Sequence, residues 1–133
     1  MSSICNTSLY DFERTPSTAT YALRIVDTPL QVKHTPKNYS SILMLVFGDC
    51  EPEEKGYPTP SQIQSIIFFL RDAKSRNKDV VVHCMMGIGR SAAIAQFAID
   101  FLGFTGADNS TDRTHMNTAL YSDLHYALSS KVN

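Results

Sequence analysis

Val80-Val81-Val82-His83-Cys84-Met85-Met86-Gly87-Ile88-Gly89-Arg90-Ser91-Ala92 is the stretch on which the fold turns. It opens as a β-branched apolar run, the pattern of a strand buried on both faces. From about Arg90 to Leu102 an Ala-rich run reads as a helix, with Gly103 as its stop. The short turn between them carries a thiol at Cys84, a guanidinium at Arg90 and two glycines inside. Gly87 and Gly89 permit positive φ and carry no side chain to block inward-facing amides. A turn of this length curls into a cradle of N–H groups, and the following helix directs its positive end at the same point. The cradle suits an anion.

A thiol beside an arginine at a helix N-terminus ionises more readily than a free one, and the thiolate is the nucleophile. Arg90 offers a planar fork for two phosphate oxygens, which lysine lacks. Ser91 can turn its hydroxyl toward the sulfur and help the thiolate leave. The chemistry implied is thiolate attack on a phosphate monoester. A cysteine at a strand end is often inert packing, and Ser91 also suits a plain helix start. The conjunction of strand, His83, Cys84, paired glycines, Arg90 and helix favours the anion site.

His83-Cys84-x2-Gly87-x-Gly89-Arg90-Ser91 at the end of an apolar strand resembles the signature of the cysteine-dependent protein tyrosine phosphatase superfamily. It is most similar to the compact dual-specificity and bacterial- or phage-type branches. The resemblance implies Cys84 as nucleophile, Arg90 as phosphate ligand and transition-state partner, and Ser91 as helper in the second step. It also implies that Met85, Met86, Gly87, Ile88, Gly89 and Arg90 form the phosphate-binding loop, with His83 restraining the cysteine from behind. Hydrogen bonding suits His83 better than proton transfer.

Cleaving a phosphate ester also needs a proton for the departing oxygen. The family supplies an aspartate from a loop ahead of the cysteine strand, and Asp49 follows the apolar run Ile42–Phe47 in that way. In an open parallel sheet, loops at the carboxyl ends of strands gather on one edge. Asp49 and Cys84 would then meet there. Glu51, Glu53 and Glu54 share the loop and Asp27 ends another strand, so Glu51 and Asp27 remain rival acids. Cys50 adjoins Asp49, which raises a Cys50–Cys84 redox pairing; an uninvolved thiol is the simpler expectation.

The chain has 133 residues, 43% of them hydrophobic, and a net charge of −1. These values suit a single α/β domain over residues 1–133, and no global basic field favours nucleic acid. No run reaches transmembrane length, and the first residues lack the apolar stretch of a secretory signal. Three cysteines without metal-ligand spacing suit a reducing cytoplasm and no metal. Asn-x-Ser/Thr sequences at Asn6, Asn38 and Asn109 carry no weight without secretion.

Residues 1–18 read as an irregular surface segment. Thr20–Val26 and Ile42–Phe47 read as strands, the latter fully buried, and residues 28–40 as a loop. Thr59-Pro60-Ser61-Gln62 is a capping box with proline in the first turn, starting a helix that stops near Asn77. A last helix spans about Thr114–Leu128. The sum is a small, mainly parallel central sheet flanked by helices.

Met85, Met86 and Ile88 bring no lysine into the loop, as family members acting on phosphoinositides usually do. The expected partner is therefore a phosphorylated protein or peptide. Phosphotyrosine is favoured, with dual specificity open, and Tyr57 or Tyr39 are candidates to stack on its ring. A cofactor is not needed. The alternatives are a catalytically weak phospho-residue-binding module, an RNA 5′-phosphatase of the same superfamily, and a rhodanese-like sulfur transferase.

Overall fold

The computed structural model describes residues 2–14, 17–32, 34–106 and 114–130. In chain order the elements are β1 (Ser3–Ser8), α1 (Leu9–Arg14), β2 (Tyr21–Val26), a 3-10 turn (Pro29–Gln31), β3 (Ser41–Val46) and α2 (Pro60–Ser75). Then follow β4 (Val80–Cys84), α3 (Arg90–Phe101), β5 (Thr105–Gly106) and α4 (Thr118–Ser130). The five strands lie in the order β3-β2-β4-β1-β5, and every pairing is parallel.

β4 is the middle strand and all five of its residues are buried, as a β-branched run covered on both faces must be. Its carboxyl end is therefore the middle of the sheet edge where parallel strands deliver their loops. β2 is likewise buried throughout. One face carries the main core, where Leu23, Ile25, Val80 and Val82 pack with Ile66, Leu70, Ile94, Phe97, Leu120 and Leu124 of the helices. The opposite face has a smaller core of Cys5, Phe12, Ala19, Ala22 and Val81, with Tyr39 packed against it.

Two expectations are overturned. The N-terminal segment is not an irregular wrap: β1 lies between β4 and β5 with Ile4, Cys5 and Asn6 buried, and α1 follows directly. Ser-Ile-Cys-Asn-Thr-Ser has almost no apolar pattern; pairing on both sides, not propensity, makes it a strand. β3 is not fully buried either. It is an edge strand, and Ile42 and Met44 are 45% and 41% exposed on the face opposite the main core, in register with Ala22 and Arg24.

The local signals held elsewhere. Thr59 Oγ1 accepts from Gln62 N at 3.1 Å and Gln62 Oε1 accepts from Thr59 N at 3.0 Å, closing the capping box. Asn77 stops α2 with φ 58° and Gly103 follows α3 with φ 80°. The last helix begins at Thr118 rather than Thr114, because Asn117 Oδ1 accepts from Leu120 N at 3.0 Å and so caps it. Asn6 is buried and Asn109 lies outside the described residues. Among the described residues no helix is long and apolar enough to cross a membrane.

Candidate active site

The Cys84–Arg90 turn leaves the centre of the sheet edge and feeds α3. Its carbonyls are drawn outward. Met85 O accepts from Leu9 N at 3.2 Å, Gly87 O from Asn6 Nδ2 at 2.8 Å, and Gly89 O from Ala93 N and Asn117 N at 3.1 Å each. With the carbonyls so engaged, the amides are free to face inward. Gly87 N and Ser91 N lie 3.3 and 3.4 Å from Cys84 Sγ, both donating to it. Ser91 Oγ is 3.1 Å from the same sulfur. Gly87 is required twice over: its φ is +80°, and a Cβ there would fall 2.6 Å from Ser8 N.

Arg90 is 4% exposed. Its Nη1 donates to Asp27 Oδ1 and to Phe47 O, both at 2.7 Å. Nε is buried and has no hydrogen-bond partner among the described residues. Anchoring Nη1 fixes the plane of the guanidinium and leaves the Nε–Nη2 edge as a bidentate donor, the geometry a phosphate matches. Asp27, a rival for the acid role, is thus committed to Arg90.

Asp49 stands at the mouth of the loop. A Cβ on Gly89 would collide with its carboxylate, and Oδ1 accepts from Asn117 Nδ2 at 2.8 Å. The same Asn117 nitrogen donates to Cys50 O at 3.2 Å. Glu51, Glu53 and Glu54 are exposed, and Glu54 turns back to accept from Glu51 N at 2.7 Å. Of the acidic loop, Asp49 is the carboxylate packed on the phosphate loop.

The remaining candidates fall as follows. Met85 and Met86 are exposed on the rim and Ile88 is half-buried. Ser91 is buried in the first turn of α3, its hydroxyl on the sulfur. His83 is fully buried on the opposite face of the sheet from the thiol, since neighbours in a strand alternate. Burial and the nearby Arg24 charge push His83 down to about 4. Cys50 and Cys84 are not joined in a disulfide, and burial with the neighbouring Glu54 and Asp49 carboxylates pushes the Cys50 thiol up.

The tyrosines suggested as stacking partners are otherwise engaged. Tyr57 donates its hydroxyl to Asp123 of α4, and burial together with that bond raises its ionisation well above the ordinary phenol range. Tyr39 stacks on Phe12 on the far face. No cluster of three or more His, Cys, Asp or Glu side chains is arranged to hold a metal among the described residues.

Sequence reasoning missed Asn6, Asn117 and Arg24, and it treated Asp27 only as an alternative acid. Asn117 had a signal, a capping residue just before a helix. Asn6 had none, lying in a segment without periodicity.

A parallel sheet that presents a cysteine, an arginine and a helix N-terminus around one anion cradle defines a cysteine phosphatase of the α/β class. The model for the protein-tyrosine phosphatase family matches residues 13–111, and the chain belongs to that family. A solved structure described as Tk-PTP in the active form is similar in fold, with a TM-score of 0.52 at 12% identity. That likeness covers 95% of this chain and 78% of the other. No curated protein sequence matches the chain.

Proposed function

We propose that this phosphatase hydrolyses phosphorylated side chains of proteins, phosphotyrosine foremost, through a phospho-cysteine intermediate on Cys84. The observation that carries it is the ring of donors on one sulfur, at the start of a turn that ends in an arginine whose Nε is buried without a hydrogen-bond partner among the described residues. In the first step Cys84 thiolate attacks phosphorus, the P–S bond forms and the ester P–O bond breaks. Asp49 gives its proton to the leaving oxygen. In the second step Asp49, now a carboxylate, takes a proton from water, which attacks phosphorus. The P–S bond then breaks, and Ser91 donates its hydroxyl to the departing thiolate. Arg90 binds two equatorial oxygens throughout, and the loop amides meet the developing charge.

The apolar rim of Met85, Met86 and Ile88 and the acidic loop from Asp49 to Glu54 favour a singly phosphorylated side chain over a polyphosphate, an inositol lipid or an RNA 5′ end. The steps need no metal or organic cofactor. One catalytic domain over residues 1–133 and a reducing cytoplasmic setting complete the proposal.

Vanadate-sensitive hydrolysis of p-nitrophenyl phosphate, abolished in Cys84→Ser, is the expected result. Rapid quench of Ser91→Ala should trap a phosphorylated Cys84 peptide. A panel of phosphotyrosine, phosphoserine and phosphothreonine peptides, run beside a phosphoinositide and a triphosphorylated RNA, assigns the substrate. Absence of hydrolysis from pH 5 to 8 would favour a phospho-residue-binding module.

A further inference from the structure

His83 and Cys84 are consecutive, yet their side chains enter different environments. The thiol sits in the phosphate loop; the imidazole is sealed on the α1 face. There the Phe12 ring lies 4.5 Å from it between centroids, and Arg24 Nε donates to His83 Nε2 at 2.9 Å. Arg24 is 1% exposed, in the middle of β2. Its Nη1 donates to Thr35 Oγ1 at 3.0 Å, and its carbon Cζ lies 4.6 Å from the centre of the Phe12 ring. Glu13 offers the nearest carboxylate, 3.9 Å from Nη2, and Nη2 makes no hydrogen bond among the described residues. Holding a guanidinium here costs several kcal/mol of lost hydration, offset only in part by so distant a carboxylate. A buried cation so incompletely paired points to a task besides stability.

The task follows from donor chemistry. A guanidinium has no acceptor, so Nε2 of His83 must present its lone pair. A neutral imidazole then carries its proton on Nδ1. Nδ1 lies 3.4 Å from the main-chain oxygen of Cys84. That oxygen belongs to the first peptide of the phosphate loop. In a trans peptide the C=O and the following N–H point in opposite directions. A carbonyl drawn toward His83 therefore turns Met85 N–H away from His83 and toward the side of the thiol.

We infer that Arg24 is a positioning residue for the phosphate loop: it fixes His83 as the neutral Nδ1–H tautomer, which orients the Cys84–Met85 peptide. The inference rests on the phosphatase reading for its catalytic consequence and on geometry alone for the tautomer. The charged and titratable groups around the ring are Arg24 from β2, Glu13 beyond it on α1, Arg90 from α3 and Tyr39 behind Phe12. Burial and Arg24 both oppose a charge on the ring, consistent with a neutral imidazole.

Two-bond 1H–15N correlation spectra at pH 7 read the tautomer directly. Wild type should show a protonated Nδ1 and a bare Nε2. Arg24→Lys keeps a side chain that can only donate; Arg24→Met fills similar volume with no donor. The Lys variant should keep the tautomer and hydrolyse p-nitrophenyl phosphate within about threefold of wild-type kcat, well short of the loss usual for a supporting residue. The Met variant should move the proton to Nε2 and lower kcat about tenfold with little change in KM.

A wild-type ring protonated at Nε2, or a Met variant with wild-type tautomer and kcat, would overturn the inference. Should Arg24→Met fail to fold, Arg24→Lys still decides: an ammonium, like a guanidinium, can only donate, so an Nε2–H ring in that variant refutes the donor argument. Should wild type hydrolyse nothing, the proposed function fails, while the tautomer spectra still test Arg24 on their own.

Discussion

On its β1 side the phosphate loop is gripped mainly by main chain: Leu9 N on Met85 O, with Thr7 and Ser8 backbone against Gly87 and the buried Asn6 amide on Gly87 O. On its β3 side the partners are carboxylates and an amide nearer to water. Asp27 has 47% of its side chain exposed, Asp49 is exposed, and Asn117 is half-buried. The difference matches what each flank must do. A shape that stays fixed through both chemical steps is best held by buried backbone contacts, whose rearrangement would leave polar groups unpaired. A group that gives up a proton and takes one back needs water and an adjustable hold. The closed flank sets geometry; in the proposed mechanism the open flank supplies protons.

Breaking the closed flank should have the largest effect. Gly87→Ala combines a disfavoured φ of +80° with a clash 2.6 Å from Ser8 N. Misplacing reacting groups by about 1 Å costs on the order of 10²-fold, and here the whole cradle shifts, so turnover should fall to background. Because the damage precedes any proton transfer, p-nitrophenyl phosphate and phenyl phosphate should suffer alike. A Gly87→Ala protein with near wild-type kcat would mean that β1 does not brace the loop.

Asp49→Asn tests the open flank and should lower kcat about 10²-fold, within the usual range for a lost general acid. The loss should be larger for phenyl phosphate, whose leaving oxygen needs the proton more than nitrophenolate does. Equal losses for both substrates would remove Asp49 from the acid role, and Glu51→Gln would be examined next. Asp27→Asn should instead raise KM as well as lower kcat, since it loosens Arg90.

The two asparagines sharpen the contrast. Asn6→Ala leaves Gly87 O buried without its partner and should cost about 1–3 kcal/mol of stability, read as a lower urea midpoint. Asn117→Ala should cost less stability and about tenfold in kcat through a misplaced Asp49. In the Asp49→Asn background, Asn117→Ala should have little further effect on kcat, as coupled residues do. Full additivity would separate Asn117 from the acid.

What was legible in the sequence is what depends on neighbours along the chain. The Cys84–Arg90 turn, the Thr59–Gln62 capping box and the Gly103 stop are each set by spacing within one or two turns. What was not legible depends on pairing across the fold. β1 has no apolar pattern and is a strand only because β4 and β5 flank it. β3 is apolar enough for a core strand, and only its place at the edge exposes Ile42 and Met44. Asp27 and Asp49 are both aspartates at strand ends; only the folded distances separate the Arg90 partner from the carboxylate at Gly89, the one proposed as the acid.

A separate effect, on stability, comes from His83 behind the closed flank. Its folded value of about 4 lies below the ordinary 6.5, with burial the main cause and the Arg24 charge second. Between those values the unfolded chain binds a proton that the folded chain does not. Stability from this residue is therefore complete above about pH 6.5 and is lost as pH falls toward 4, by about 3 kcal/mol in total. Urea unfolding at pH 7 and pH 4.5 should show wild type losing about 2–3 kcal/mol more than His83→Gln over that interval. The same linkage leaves His83 neutral from pH 5 to 7, so the acid limb of kcat there should be unchanged in Arg24→Gln, which keeps the ring buried. Parallel stability losses in wild type and His83→Gln would mean that the ring takes up its proton as readily in the folded protein as in the unfolded chain, and that the closed flank is wetter than its burial implies.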